Sequence, residues 1–288
     1  MNRLNTYILL STIMGCSMST NNTSDQINKD IYTNPFFNES ALYMHYPPFD
    51  KIKNSHYMPA FNKGMEEHMK EIESIANNQD VPTFENTIIA MEKSGELLDR
   101  VATVFFALTS ANTNDEMEKI RSEMAPKLSA HSDKILLNKK LFDRISQLNN
   151  KRNNLDLKAE GIRLIEKYYT DFVRSGAKLS PKEKEQLKSM NGEIAVLQTN
   201  FSQNVLKEVN DLAIIIDSKQ KLDGLSDAAI EAAANEARSR KLEGKYVIAL
   251  KNTSGQPSMA SLTNRSLREK IHKASLSRGS RGGEFDNR

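Results

Sequence analysis

Ser180-Pro181-Lys182-Glu183 constrains the fold of this chain more than any other four residues. Serine is a strong helix N-cap, proline is pre-shaped for the first helical position, and a glutamate at the third position can reach back to the cap N–H. Behind this start signal Leu187, Met190, Ile194, Leu197 and Phe201 recur in alternating steps of three and four, with Val205 following. Apolar residues at that spacing line one face of a single long helix and predict a narrow seam packed against a neighbour.

The same periodicity runs through most of the sequence. Phe61, Met65, His68, Met69, Ile72 and Ile75 form one amphipathic stripe. Val81-Pro82-Thr83 interrupts it, with Thr83 placed to cap a helix that carries Ile88, Met91, Leu97, Val101, Phe105 and Leu108 inward. Thr113 and Glu116 have capping-box spacing for a helix to about Asn138, and Pro126 is expected to kink or split it. Ile162, Ile165, Tyr169, Phe172 and Val173 mark a further helix that Gly176 closes in a left-handed cap. Only 12 glycines and 8 prolines punctuate 288 residues, which favours long helices. The period changes at two short β-branched runs, 212–216 and 246–250, read as paired strands, with Ser226 capping an Ala-rich helix, Asp227 to Arg238, between them. The fold class is mainly α with one small β element.

Function classes are narrowed chiefly by exclusion. The 40 cationic and 37 anionic side chains are interleaved and net to +3, a solvated surface and not a nucleic-acid footprint. The basic stretch Arg265 to Arg281 contains no aromatic for base stacking, so no nucleic-acid partner is expected. His45, His56, His68, His131 and His272 show no three- or four-residue spacing, and none is followed by Glu, so the zinc-protease helix His-Glu-x-x-His is absent. One cysteine cannot form a thiolate metal site, and no phosphate-binding glycine loop or Gly-x-Ser-x-Gly elbow occurs. Neighbouring carboxylates such as Glu66-Glu67 lie among lysines and read as solvated helix surface.

The N-terminus has a different character. Arg3 precedes the apolar run Leu4 to Met14, which is too short to span a bilayer as a stable helix and fits the apolar region of a secretory signal. Ile13-Met14-Gly15-Cys16 resembles a bacterial lipoprotein cleavage box, with Met14 an unusual residue for it. Residues 1–15 are therefore expected to be a lipoprotein-type signal peptide, Cys16 the lipidated residue and 16–33 a polar linker. The expected location is the bacterial cell envelope, periplasmic or tethered to the membrane through a lipid on Cys16.

Several strings together resemble the peptidyl-dipeptidases of the thimet oligopeptidase-like zinc metallopeptidase family. They are Pro48 to Lys53, His56 to Phe61, Pro82 to Thr87, Met91 to Gly95, Ala125 to His131, Phe172 to Ala177 and Asn264 to Arg268. The resemblance implies a two-lobed helical clamshell with zinc at the floor of a channel that admits oligopeptides, from whose C-termini dipeptides are released. It implies that 34–255 form the N-terminal helical lobe and that 256–288 are the truncated start of the catalytic unit. The family's zinc ligands and transition-state residues have no counterpart in this sequence. No catalytic or metal residue is therefore assigned, no cofactor is expected on this chain, and it is expected to be inactive by itself. The helices Thr83 to Leu108 and Ser180 to Val209 are the candidates for a channel wall. The alternative is a non-catalytic helical lipoprotein that binds peptides or a protein partner.

Overall fold

The computed structural model describes residues 34–250 and 256–288. The expected signal peptide, the polar linker and Cys16 lie outside them. In order, the main elements are α1 (Asn54–Ala76), a wide π-helical turn (Phe84–Ile89) running into Ala90–Glu92, α2 (Glu96–Ala111), α3 (Asp115–Leu136), α4 (Lys139–Lys151), α5 (Ala159–Arg174), α6 (Pro181–Asp211), β1 (Ile214–Ile216), α7 (Asp227–Ser239), β2 (Tyr246–Ile248) and α8 (Arg265–Leu276). The chain is mainly α, as its periodicity requires. Among the described residues no helix is long and apolar enough to cross a membrane.

Three apolar clusters hold these elements. Phe36, Tyr57, Phe61, Val101, Phe105 and Met124 knit α1, α2 and α3 together, with edge-on ring contacts at Tyr57–Phe105 and Phe61–Phe105. Ile72, Ile88, Leu141, Ile145, Ile165 and Phe172 join α1 to α4, α5 and the π-helical turn. Ile214, Ile216, Ala233, Ile248, Leu262 and Ile271 gather the strands with α7 and α8. The two runs do pair as strands, shorter than read from the sequence, and the pairing is antiparallel with Ile215 opposite Val247. Residues from Gln256 onward share this last core with 212–250 across the undescribed 251–255.

Caps read from the sequence form where the side chain can reach. The Ser180 hydroxyl accepts from Glu183 N, and the Glu183 carboxylate accepts from Ser180 N at 2.8 Å. Ser226 accepts from Ala229 N at 3.2 Å. Gly176 takes φ +93° after α5, so its own N–H reaches Val173 O and that of Ala177 reaches Phe172 O, a Schellman closure. A Cβ there would also lie 2.6 Å from Leu187 Cδ2.

Four expectations are corrected. The Thr83 to Leu108 helix is two pieces, because Ser94 Oγ donates to Met91 O at 2.7 Å and Gly95 turns left-handed at φ +78°. The cap of α3 is Asn114, whose Oδ1 accepts from Met117 N, while Thr113 donates to Glu118 instead. Pro126 lies inside a helix that continues through it. The seam on α6 does not pack inward: Met190, Ile194, Leu197 and Phe201 are each about half exposed. α6 meets α3 through polar groups, with Asn191 donating to Asp133 at 2.7 Å and Gln203 donating to Glu118 and Ser122. The loop after α8 folds back on α6, where Arg281 pairs with Glu208 at 2.8 Å and with Asp211.

Candidate functional site

Two imidazoles from different helices meet beside the break that precedes α2. α1 carries His68, and α3 presents His131, which is 8% exposed. Their rings lie 5.0 Å apart and tilted by 51°. Gly95 is needed there twice over, for its positive φ and because a Cβ would lie 2.9 Å from His68 Nδ1. Glu71, one turn beyond His68, accepts the Gly95 N–H at 2.7 Å and so ties the start of α2 to α1.

Donor counting fixes the direction of the hydrogen bonds. Ser94 spends its single proton on Met91 O, so at 3.3 Å it can only accept from His68 Nε2. His68 Nδ1 is then the acceptor, and His131 Nε2 donates to it at 3.0 Å. The result is a one-way chain from His131 through His68 and Ser94 to a backbone carbonyl. Burial, the neighbouring His68 and Lys134 push His131 down to about 4, and burial also lowers His68 against the opposing pull of Glu71. Both rings are neutral at neutral pH. A hydroxyl activated for attack would donate to its histidine; Ser94 does the reverse, so this arrangement is a latch between α1, α2 and α3 and holds no nucleophile.

The latch borders an open cleft of about 1040 Å³ that also takes in Met91, Glu92, Leu98, Phe106 and Tyr168. Tyr168 donates to Glu92 at 2.6 Å, and burial together with that carboxylate pushes the phenol up, holding its proton in place. A second, more apolar groove of about 710 Å³ runs between α2, α3 and α6, lined by Phe106, Arg121, Leu128, Leu197 and Phe201. Phe106 and Leu128 belong to both, so the two grooves adjoin. The two helices read from the sequence as a candidate wall therefore border adjoining grooves, one mostly apolar with Gln198, Thr199 and Ser202 at its α6 side and one lined largely by polar groups, a surface suited to side chains of a flexible ligand.

Arg144 supports this region from behind at 5% exposure. Its guanidinium donates to Asn78 O at 2.7 Å, Asp80 O at 3.0 Å, Asn86 Oδ1 at 2.8 Å and Thr87 Oγ1 at 3.2 Å. The loop before the π-helical turn is thereby pinned to α4.

A resident zinc does not fit these residues. No group of three or more His, Cys, Asp or Glu converges among the described residues. The one imidazole pair falls short of the three protein ligands of catalytic zinc, and both nitrogens of His68 are already engaged. Of the other histidines, His45 bonds Ser40 O at 3.0 Å on the surface, and His56 accepts from Lys53 N at 3.1 Å at the head of α1. Sequence spacing could not reveal the pairing of His68 with His131, which stand 63 positions apart. The available signal was that Ser94-Gly95 and His131 close two of the strings carrying the family resemblance.

No family model matches the chain. Among curated proteins, dipeptidyl carboxypeptidase of Escherichia coli (strain K12) is 40% identical over 255 residues, 88% of this chain and 37% of that protein. Dipeptidyl carboxypeptidase of Salmonella typhimurium (strain LT2) is 40% identical over 256 residues, 89% of this chain and 38% of that protein. Oligopeptidase A of Haemophilus influenzae is 29% identical over 259 residues, 88% of this chain and 37% of its own length. The chain thus spans little more than a third of the relatives it matches.

Proposed function

We propose that this chain, which over its matched span belongs to the thimet oligopeptidase-like family, forms part of one wall of the peptide channel of a peptidyl-dipeptidase and has no peptidase activity alone. The observation that carries this is 40% identity to a dipeptidyl carboxypeptidase across 88% of the chain at only 37% of the relative's length. The missing His-Glu-x-x-His motif and the poor fit of the histidine pair to zinc support the second half of the reading. The role of the wall is selection by shape: the apolar groove bordered by α2 and α6 accepts extended oligopeptides, while residues outside this span would hold the metal that activates water for hydrolysis. In the same reading 34–255 are the N-terminal lobe and 256–288 begin the catalytic unit. Residues 1–15 direct export, and a lipid on Cys16 tethers the protein in the bacterial envelope.

The purified chain, supplied with zinc and a blocked tetrapeptide, is expected to release no C-terminal dipeptide. Zinc-dependent release that a chelator abolishes would overturn the assignment of catalysis to residues beyond this chain. Membrane fractionation followed by mass spectrometry tests the tether: an unmodified Cys16 thiol in the mature protein would refute it.

A further inference from the structure

Among the described residues, Arg121 is the one charged residue that lines the apolar groove between α2, α3 and α6. It shares the groove face of α3 with Ala125 and Leu128, at the i, i+4 and i+7 positions of one helical stripe. On α6 the lining residues Ala195, Thr199 and Ser202 repeat that spacing. Small side chains at Ala125, Ala195 and Ser202 leave space between the two helices. Phe106, Leu128, Leu197 and Phe201 supply the apolar lining.

The Arg121 guanidinium is poorly matched within the chain. Its ionic neighbour is Glu118, one turn back on α3, at 3.9 Å, which is beyond hydrogen-bond reach. That carboxylate is already engaged, since Thr113 donates to one oxygen at 2.6 Å and Gln203 to the other at 3.0 Å. Among the described residues Arg121 donates no hydrogen bond, although its side chain is only 29% exposed. Arg144 shows the contrast of an arginine that serves the fold, with its guanidinium spent on four acceptors. The Thr199 and Ser202 hydroxyls give their protons to Ala195 O and Gln198 O, each at 2.9 Å. Arg121 and the Gln198 amide are therefore the donors that the groove offers a ligand.

An unspent guanidinium fork beside apolar surface is matched by a carboxylate carried next to an apolar group. Partial shelter from water strengthens such a pair relative to one on open surface. The adjoining cleft has the opposite character, because Glu92, Glu96 and Asp99 line it with a single lysine, Lys93. An anionic group is repelled at that end of the joined grooves and drawn to the Arg121 end.

We propose that Arg121 anchors a carboxylate of an oligopeptide in the apolar groove, with a neighbouring apolar side chain of the peptide against Phe106, Leu128, Leu197 and Phe201. The inference rests on the reading of this groove as a peptide surface, and adds to it an anionic preference and a direction. A free C-terminus and an Asp or Glu side chain present the same two oxygens.

The chain contains no tryptophan, so the fluorescence anisotropy of a tryptophan in a dilute peptide reports binding as the chain is titrated. Acetyl-Ala-Trp-Leu with a free C-terminus is compared with its C-terminal amide and with acetyl-Glu-Trp-Leu-amide, at neutral pH and low salt. The free acid is expected to bind about tenfold tighter than the amide. Arg121→Gln should abolish that ratio while leaving the affinity of the amide unchanged, which also shows that the groove is still folded. Arg121→Lys should restore only part of the ratio, because an ammonium lacks the fork. The glutamyl peptide decides the source: an affinity equal to that of the free acid means that any carboxylate is taken, and one equal to that of the plain amide means that the C-terminus is required. Ala125→Leu, which fills the groove, should weaken every peptide that binds. Equal affinities for acid and amide in the native chain, or a ratio that survives Arg121→Gln, would overturn the proposal and leave the groove as a peptide surface. Binding indifferent to Ala125→Leu, or no binding of any of the three peptides, would overturn both.

Discussion

His131 shows how a single side chain couples stability to pH. Its folded value of about 4 lies below the 6.5 of an unhindered imidazole, so the unfolded chain takes up the proton first. Stability is therefore full above about pH 6.5 and falls as the pH drops from there toward 4, flattening below. The whole shift corresponds to roughly 3 kcal/mol, which solvent at the cleft mouth reduces to about 2 kcal/mol. Melting temperatures recorded across that window should show the slope in the native chain and a much weaker one in His131→Gln. Arg144 makes a different kind of demand. Replacing it with Met removes all four hydrogen bonds, of which the one to the Thr87 hydroxyl is fully buried while Asp80 is exposed and can turn to water, at a cost of about 2 kcal/mol in denaturant titrations. Arg144→Lys should recover little of this, because an ammonium cannot reproduce the forked geometry. Neither residue drew notice in the sequence as a contact. Their partners lie 57 to 66 positions away, and no local pattern encodes such a distance.

Among the elements, the boundaries that were legible are those set by neighbouring residues. Ser180 with Glu183, Ser226 and Gly176 all act within a turn of themselves, and each sits where its chemistry predicts. The break before α2 was missed because its cause is tertiary. Apolar residues keep helical spacing across 88–108, yet Gly95 leaves the helix to accommodate His68 and to give its N–H to Glu71. Gly95→Ala introduces both an unfavourable φ and a collision with the imidazole, and should destabilise the fold by about 2 kcal/mol. Its second signature is separate from stability: NMR of the ring nitrogens should show the His68–His131 hydrogen bond lengthened or lost. The inverted α6 has the same origin. Its three–four pattern fixed that a seam exists, while the polar partners available on α3 decided which face turned inward.

At the scale of the whole molecule, the C-terminal loop is fastened to α6 by Arg281, which pairs with Glu208 across 73 positions and with Asp211, and by Asn204 donating to Asn287 at 3.0 Å. Glu208 has a side chain 1% exposed and depends on Arg281 and the Gly279 N–H for its partners. Arg281→Ala leaves that carboxylate buried without its cation and should cost about 2 kcal/mol, with Glu208→Gln in the same background recovering part of the loss. A melt of the three variants decides whether the loop belongs to the cooperative unit. The sequence by itself determined the helical class, the strand pair and the helix starts at Ser180 and Ser226, and it carried the resemblance to the peptidyl-dipeptidases, because caps, period and strings of residues are local information. Only the tertiary structure decided which histidines meet, which face of α6 is wet and where the grooves run. Those outcomes depend on which side chains distant segments bring into reach of one another, and the balance between burying an apolar stripe and satisfying a polar one is settled only once the neighbouring helix is in place.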